Sequence, residues 1–396
     1  MRIAVVGGAG RVGLPLSVLL AEAGHTVVAI DIDETRVDQI RNGHVPFKED
    51  GLDVLLAASI RSGRLRASHD LSDVQSADVI FLIVGTGLDE DGNPQNDSVL
   101  SVVAEMAPFV QSHAVVALRS TVMVGTTELV ASILGNRPGF VAYCPERIAE
   151  GNAIEEIAKF PQIIGCEENA YAFEVLKSVF ATLGIEILKS SLREAELGKL
   201  ILNTWRYSQF AIANEFHLLC EEHGVRYQRV RELVSVGYPR SIGLVKSGMA
   251  GGPCLEKDSR QLVSGYKHGS NLFQEVIQAH AKIIDHLVQE IQREHDLEEK
   301  VIAFLGITFK PDSDDLRNSP ALELARKLEP LVKELIIVDP FVGPNSPFVI
   351  VDFKEAIEKC DIVVVGTLHS SFARDTFEKP VFDPFGVRDR DTFHPR

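Results

Sequence analysis

No apolar run in the 396-residue sequence reaches the roughly 20 residues needed to span a bilayer, so a membrane-embedded function is not expected. Basic charge is also short: 40 Lys and Arg face 56 Asp and Glu, a formal net charge of −16. A surface this negative repels a nucleic-acid backbone and leaves room only for a local basic pocket that takes a small anion. The cysteines are few, odd in number and scattered at positions 144, 166, 220, 254 and 360, with no CxxC pair. That pattern excludes a disulfide framework and points to a reducing cytoplasm. Repeats at solenoid periods, low-complexity tracts and a secretory cleavage pattern are missing too. What is left is a soluble globular composition, 45% hydrophobic and 24% charged, on a chain long enough for two or three domains.

The N-terminal residues 2–7 (RIAVVG) read as a buried parallel strand, rich in β-branched residues. Gly8-Ala9-Gly10-Arg11-Val12-Gly13 follows, then a helical pattern, then a strand over 26–30 that ends at Asp31. A G-x-G-x-x-G between strand and helix, with an acid about twenty residues on, is a dinucleotide signature. Gly8, Gly10 and Gly13, with Arg11 and Val12 between them, would hold a pyrophosphate at the helix N-terminus. Asp31 would accept from a ribose 2′-OH and repel a 2′-phosphate, favouring NAD over NADP, with Arg36 close behind it. Strands at 78–84, 114–119 and 139–143 alternate with helical stretches, a doubly wound parallel sheet. Ligands to such sheets gather where strands end. Thr86, Ser120, Thr121 and the loop Cys144-Pro145-Glu146-Arg147-Ile148-Ala149-Glu150-Gly151 all lie there.

From about Leu192 to His223 the pattern is helical, and Lys199 and Asn203 share a face at i, i+4 spacing. His217, Cys220 and His223 fan around the same helix and no acidic partner completes a set, so no metal is expected. Next comes Gly251-Gly252-Pro253-Cys254-Leu255-Glu256-Lys257-Asp258. Glycine and proline shape a turn that delivers one cysteine, Lys257 is placed to favour its thiolate, and Asp258 is a proton acceptor. A turn around an inert cysteine is the plain alternative. A second helix is expected over 271–293. The last hundred residues restart the α/β pattern with strands at 300–306, 335–339 and 361–366. Lys310 and Arg317 follow the first of these, where a phosphate-bearing ligand would bind or where they would pair with Asp312 to Asp315.

Taken together, these stretches resemble the UDP-glucose/GDP-mannose dehydrogenase family over essentially the whole chain. The resemblance rests on GAGRVGLPLS (8–17), RSTVMVGT (119–126), CPERIAEG (144–151), AELGKLILNTWRYSQFAIANE (195–215), GGPCLEKD (251–258) and GITFKPDSDDLRNSP (306–320). It implies an α/β architecture of three parts: an N-terminal NAD-binding Rossmann domain (1–191), a central helical dimerisation segment with the cysteine loop (192–294), and a C-terminal Rossmann-like domain that binds a UDP-sugar (295–396). The implied reaction oxidises C6 of the sugar from alcohol to carboxylate with two NAD. Cys254 carries a thiohemiacetal and then a thioester. Lys199 and Asn203 hold the oxyanion, and Asp258, with Glu150 and Thr121 positioning water, supplies acid and base.

The resemblance further places Gly8, Gly10, Arg11, Val12, Gly13, Asp31, Arg36, Thr86, Ser120, Thr121, Glu150 and Lys257 at the cofactor. Glu146, Arg147, Lys199, Asn203, Gly252, Lys310 and Arg317 fall to the substrate. Arg240, in YPRSIG (238–243), is similar to the arginine that reaches a neighbouring subunit's substrate, implying a homodimer. The Pro-Glu-Arg of CPERIAEG resembles the branch acting on UDP-N-acetylhexosamines. Departures from the family pattern are the extra glycine of Gly7-Gly8, Arg11 in place of an aromatic, and Gly87 and Glu256 in place of prolines. Four other functions stay open: a UDP-glucose or GDP-mannose 6-dehydrogenase, a two-electron dehydrogenase yielding one NADH per substrate, a non-catalytic nucleotide-sugar-binding protein, and a structural dimer that binds NAD only.

Overall fold

The apolar runs become strands. The computed structural model describes residues 1–386 apart from positions 169, 267, 268, 270, 344, 345 and 374. Ten strands precede residue 191: β1 Arg2–Val6, β2 Thr26–Ile30, β3 Leu65–Ser68, β4 Val79–Leu82, β5 Gly87–Leu88, β6 Pro94–Gln95, β7 Val115–Leu118, β8 Val141–Tyr143, β9 Gln162–Gly165 and β10 Ile187–Ser190. β5 and β6 form a small antiparallel hairpin, and the other eight make one sheet in the order β10-β9-β8-β7-β4-β1-β2-β3. From β3 to β8 this is the doubly wound dinucleotide-binding order, with its switch point between β1 and β4. Every neighbour in that sheet is parallel except β8 and β9, which pair antiparallel at Tyr143 and Gly165. β4 and β7 are buried along their whole length, as the middle of a sheet covered on both faces must be. The five strands expected from apolar runs are present. β3, β9 and β10 were not expected: LRAS, QIIG and ILKS carry polar residues, and β3 and β10 are edge strands whose second side needs no apolar cover.

A second sheet follows, with β11 Val301–Leu305, β12 Glu334–Val338, β13 Ile362–Val365 and β14 Val381–Phe382 in the order β12-β11-β13-β14. All its pairs are parallel. Two-residue β14 is too short to leave a sequence pattern. Along the chain, the long helices Leu192–Glu222 and Leu272–Glu294 come after β10 and before β11.

By packing, the chain divides into two compact units: Met1–Leu202 with Arg260–Lys267, and Asn203–Ser259 with His268–Arg396. The chain changes unit inside the helix Leu192–Glu222 and inside the helix Leu255–Ser264, so the packing units cut across the middle segment expected at 192–294. The expected C-terminal domain runs to 396, and its part beyond Gly386 lies outside the described residues.

Each unit contains the same turn. After β1, the Gly7 N–H donates to the Ile30 carbonyl at the end of β2, and the next residue, Asp31, accepts from the Ala9 N–H at 3.0 Å. After β11, the Gly306 N–H donates to the Val338 carbonyl at the end of β12, and Asp339 accepts from the Ile307 N–H at 2.9 Å. In the second copy the N–H given to the acid comes one residue after the glycine, not two, and the acid meets a different partner. Asp339 is buried against His369, whose Nε2–H donates to it at 3.1 Å. Burial works to raise the Asp339 pKa, but the hydrogen bond and charge of His369 outweigh it and hold the carboxyl below its ordinary range.

Candidate active site

The glycine loop of the first unit is built by close approaches. Gly7 has φ +83, and a side chain there would collide with the carbonyl of Ile83; this accounts for the additional glycine ahead of Gly8. A Cβ on Gly8 would lie 2.7 Å from the Ala29 Cα, and one on Gly13 would strike the Gly7 carbonyl. Gly10 is more open, its nearest neighbour being 3.3 Å away, and Val12 caps the helix Gly13–Glu22. Asp31 is therefore tied to the loop as well as placed at its edge. Arg36 turns to the surface and pairs with Asp33 at 3.2 Å.

Arg11 lies over the Phe47 ring, with its Nε 3.8 Å from Glu150 Oε2. Two expected cofactor residues thus meet in the first unit. The loop that carries Glu150 is fixed by a residue the sequence did not single out. Buried Glu49 accepts from the N–H groups of Gly151, at 2.7 Å, and Ala153, at 2.6 Å, capping the helix Ala153–Lys159. Glu146 is turned inward: its carboxylate accepts from buried Arg119 and from the N–H groups of Arg147 and Ile148. Arg147 donates to the carbonyl of Pro161. Both residues are held by their own unit, which gives them a part in shaping the loop. Thr86 donates to the Thr121 carbonyl at 2.8 Å, and Ser120 is buried beneath, donating to the Leu82 carbonyl. Lys199 is half-buried in the helix Leu192–Glu222 and makes no hydrogen bond or ion pair among the described residues.

In the second unit Cys254 is exposed, immediately before the first turn of the helix Leu255–Ser264. The start of a helix favours negative charge, the form a nucleophilic sulfur takes. The other cysteines differ. Cys144, Cys166 and Cys360 are buried, and burial pushes the Cys144 thiol up to about 12. One turn into the helix, fully buried Asp258 accepts from Asn203 Nδ2 and from Lys257 Nζ, both at 2.5 Å. Lys257, expected to act on the thiol, pairs with Asp258, and one N–H of Asn203 goes the same way.

The cysteine loop rests on the loop after β11. Gly252, at φ +91, donates from its N–H to the Asn318 carbonyl at 2.9 Å, and a Cβ on it would lie 2.7 Å from the Phe309 ring. Two stretches far apart in sequence, GGPC and FKPDSDDLRNSP, therefore form one structure. Lys310 lies over the Phe309 ring, and a cavity of about 280 Å³, lined in part by Phe309, Lys310, Met249, Thr367 and Phe385, opens at the ends of β11 and β13. That is the switch point of the second sheet. Arg317 does not line it. It forks onto Asp315, with Nε 3.0 Å from both carboxylate oxygens, the alternative left open by its spacing.

The sequence matches three family profiles in order: the NAD-binding domain of the UDP-glucose/GDP-mannose dehydrogenase family over residues 1–184, the family's central domain over 193–283, and its UDP-binding domain over 303–390. The chain belongs to the UDP-glucose/GDP-mannose dehydrogenase family. It is an NAD-dependent nucleotide-sugar dehydrogenase. It is 31% identical to the UDP-glucose 6-dehydrogenase YwqF of Bacillus subtilis, over 91% of this chain and 84% of that one. It is 30% identical to the UDP-N-acetyl-D-mannosamine dehydrogenase of Pyrococcus horikoshii, over 96% and 92%. The solved structure of a UDP-glucose dehydrogenase from Pyrobaculum islandicum superposes with a TM-score of 0.87 at 28% identity, covering 98% of this chain and 94% of that one.

Arg240 of this dehydrogenase stands on the exposed turn Pro239–Ser241, its guanidinium over the Tyr238 ring. The histidines weighed for a metal separate. His223, in the turn just past the helix end, bonds to the Leu219 carbonyl, while His217 lies 3.0 Å from Glu221. An acidic partner for His217 therefore exists one turn along the helix, where the sequence reading found none. Among the described residues no helix is long and apolar enough to cross a membrane.

Proposed function

We propose that this dehydrogenase oxidises C6 of a UDP-N-acetylhexosamine to the uronate through Cys254. The alcohol first passes a hydride to NAD and a proton to base, giving an aldehyde. The Cys254 sulfur adds to the aldehyde carbon to form a thiohemiacetal, which loses a second hydride to a second NAD and becomes a thioester. Water cleaves the C–S bond, releasing carboxylate and restoring the thiol. The carrying observation is the exposed Cys254 at a helix start, in a loop pinned at Gly252 and followed by the buried Asn203–Asp258–Lys257 set.

Lys199 supplies a cation to the oxyanion. Asn203 adds the second of its two amide N–H groups, the first being held by Asp258. Asp258 serves as acid and base, and Glu150 with Thr121 positions the hydrolytic water. Gly8, Gly10, Arg11, Val12, Gly13, Asp31, Arg36, Thr86, Ser120 and Lys257 serve the cofactor. Gly252, Lys310 and Arg317, with Glu146 and Arg147 shaping their loop, serve the substrate. Residues 1–191, 192–294 and 295–396 are the functional segments.

The N-acetylhexosamine branch is supported by the CPERIAEG loop and by the named UDP-N-acetylmannosamine dehydrogenase among the relatives. The product, a nucleotide-linked uronate, suits polysaccharide assembly in the cytoplasm, which the few, scattered cysteines also favour. A homodimer is supported by one stripe: Ile201, Trp205, Ile212, Phe216 and Leu219 fall within an arc of about 60° on the long helix, each 43–55% exposed. Arg240 serves the partner's site in that dimer.

Three experiments test this. Glu150→Gln should give a burst of two NADH per site followed by slow turnover, with sugar nucleotide on Cys254 in intact-mass spectra; Cys254→Ser should give neither adduct nor uronate. Normal uronate production by Cys254→Ser refutes the covalent route, and a higher kcat/KM for UDP-glucose than for UDP-N-acetylhexosamines refutes the branch. Light scattering should find a dimer, and a monomer at working concentration refutes the assembly.

A further inference from the structure

The second unit contains a cluster that the dehydrogenation does not use. The helix Leu192–Glu222 carries His217 and Glu221, and the helix Leu272–Glu294 carries His286 and Glu290. Each pair is a histidine followed four residues later by a glutamate, which puts both side chains on one face of their helix. The two faces meet. His286 Nε2 lies 2.8 Å from one oxygen of Glu221, and His217 Nε2 lies 3.0 Å from the other. Single ligand atoms of Glu221, His286 and Glu290 all lie within 4.8 Å of one another.

We propose that Glu221, His286 and Glu290, with His217 beside them, bind one divalent transition-metal ion of the zinc type. Imidazole and carboxylate at about 2.0–2.2 Å are ordinary ligands for such an ion, and its tetrahedral arrangement needs donor atoms about 3.3 Å apart. The three ligand atoms lie within 4.8 Å of one another, and an ion between them would part the 2.8 Å contact of Glu221 with His286. The charge balance asks for a cation: Glu290 Oε2 is buried with no hydrogen-bond partner among the described residues. A metal would displace any proton its ligands carry. The Glu221 and His286 side chains keep 28% and 26% exposure, enough for an ion to enter.

The test uses the full chain, stripped with chelator and titrated with Co²⁺ and then Zn²⁺. One equivalent of Co²⁺ should give the visible bands of a low-coordinate nitrogen and oxygen site, without a thiolate charge-transfer band, and should be displaced by Zn²⁺. Binding should release protons and weaken as pH falls from 8 to 6. His286→Gln and Glu290→Gln should each weaken binding at least about a hundredfold, the upper end of the roughly 10–100-fold lost when a residue that merely orients a ligand is removed. Cys254→Ser should bind as the parent does. Absence of stoichiometric binding by the parent chain overturns the proposal whatever the variants do. So does unchanged affinity in both variants, or loss of binding in Cys254→Ser.

Discussion

Replacing Gly252 by alanine tests how the cysteine loop is held. Gly252 lies at φ +91, where an L-residue costs about 1–2 kcal/mol. Its new Cβ would sit 2.7 and 2.8 Å from two Phe309 ring carbons, against an ordinary carbon contact of about 3.5–4.0 Å, so loop or ring must give by about 1 Å. Crowding of that kind adds about 1–3 kcal/mol. Gly43, at φ +78 with nothing within 4 Å of a built Cβ, isolates the first cost from the second. Gly43→Ala should therefore cost only the backbone strain, and Gly252→Ala about 2–5 kcal/mol, the sum of the two. For units of this size each kcal/mol lowers Tm by about 2–4 °C.

The kinetic consequence follows from position, because Cys254 is two residues away. A 1 Å misplacement of a reacting group costs about 10²-fold, so kcat for NADH production should fall by that order. The Kd for NAD should not change, since the cofactor loop belongs to the other packing unit. A Gly252→Ala/Phe309→Ala double variant should recover the crowding and keep the strain, giving a favourable coupling of about 1–3 kcal/mol in the mutant cycle. Equal Tm losses for Gly43→Ala and Gly252→Ala, with wild-type kcat in the latter, would refute the contact between Gly252 and Phe309.

Asp31→Asn should keep the hydrogen bond from the Ala9 N–H and remove the charge that repels a 2′-phosphate. The NADP-to-NAD ratio of kcat/KM should rise at least about tenfold, roughly the effect of one like-charge contact near a surface; an unchanged ratio places the ribose away from Asp31. For Glu290 the sign follows from its raised pKa. The protonated form suits the folded chain, so its contribution is full below 4.5 and is lost as pH rises through about 7. In metal-free buffer Glu290→Gln, fixed in a neutral form, should gain Tm over the parent between pH 5 and pH 8, and a constant difference would contradict the burial of that carboxyl.

The signals legible in the sequence were those written in local chemistry. A strand covered on both faces must be apolar throughout, so β1, β2, β4, β7 and β8 could be read directly, as could β11, β12 and β13. The glycine loop, the acid ending β2 and the cysteine turn are each contiguous, and their spacing carries their meaning. Edge strands β3 and β10 were hidden because one exposed side lets polar residues in. Partnerships across long sequence distances were hidden for a different reason: residue identity says what a side chain can bond to, and only packing says what it meets. Glu49 capping the loop of Glu150, and Phe309 and Asn318 setting the cysteine turn, were decided that way. So was the use of Asn203 to hold buried Asp258. His217 has its acid one turn along its own helix, but Glu221 joins His286 and Glu290 only when a second helix packs against it. Tertiary structure alone decides such pairings, since a hydrogen bond requires atoms within about 3 Å whatever number of residues separates them along the chain.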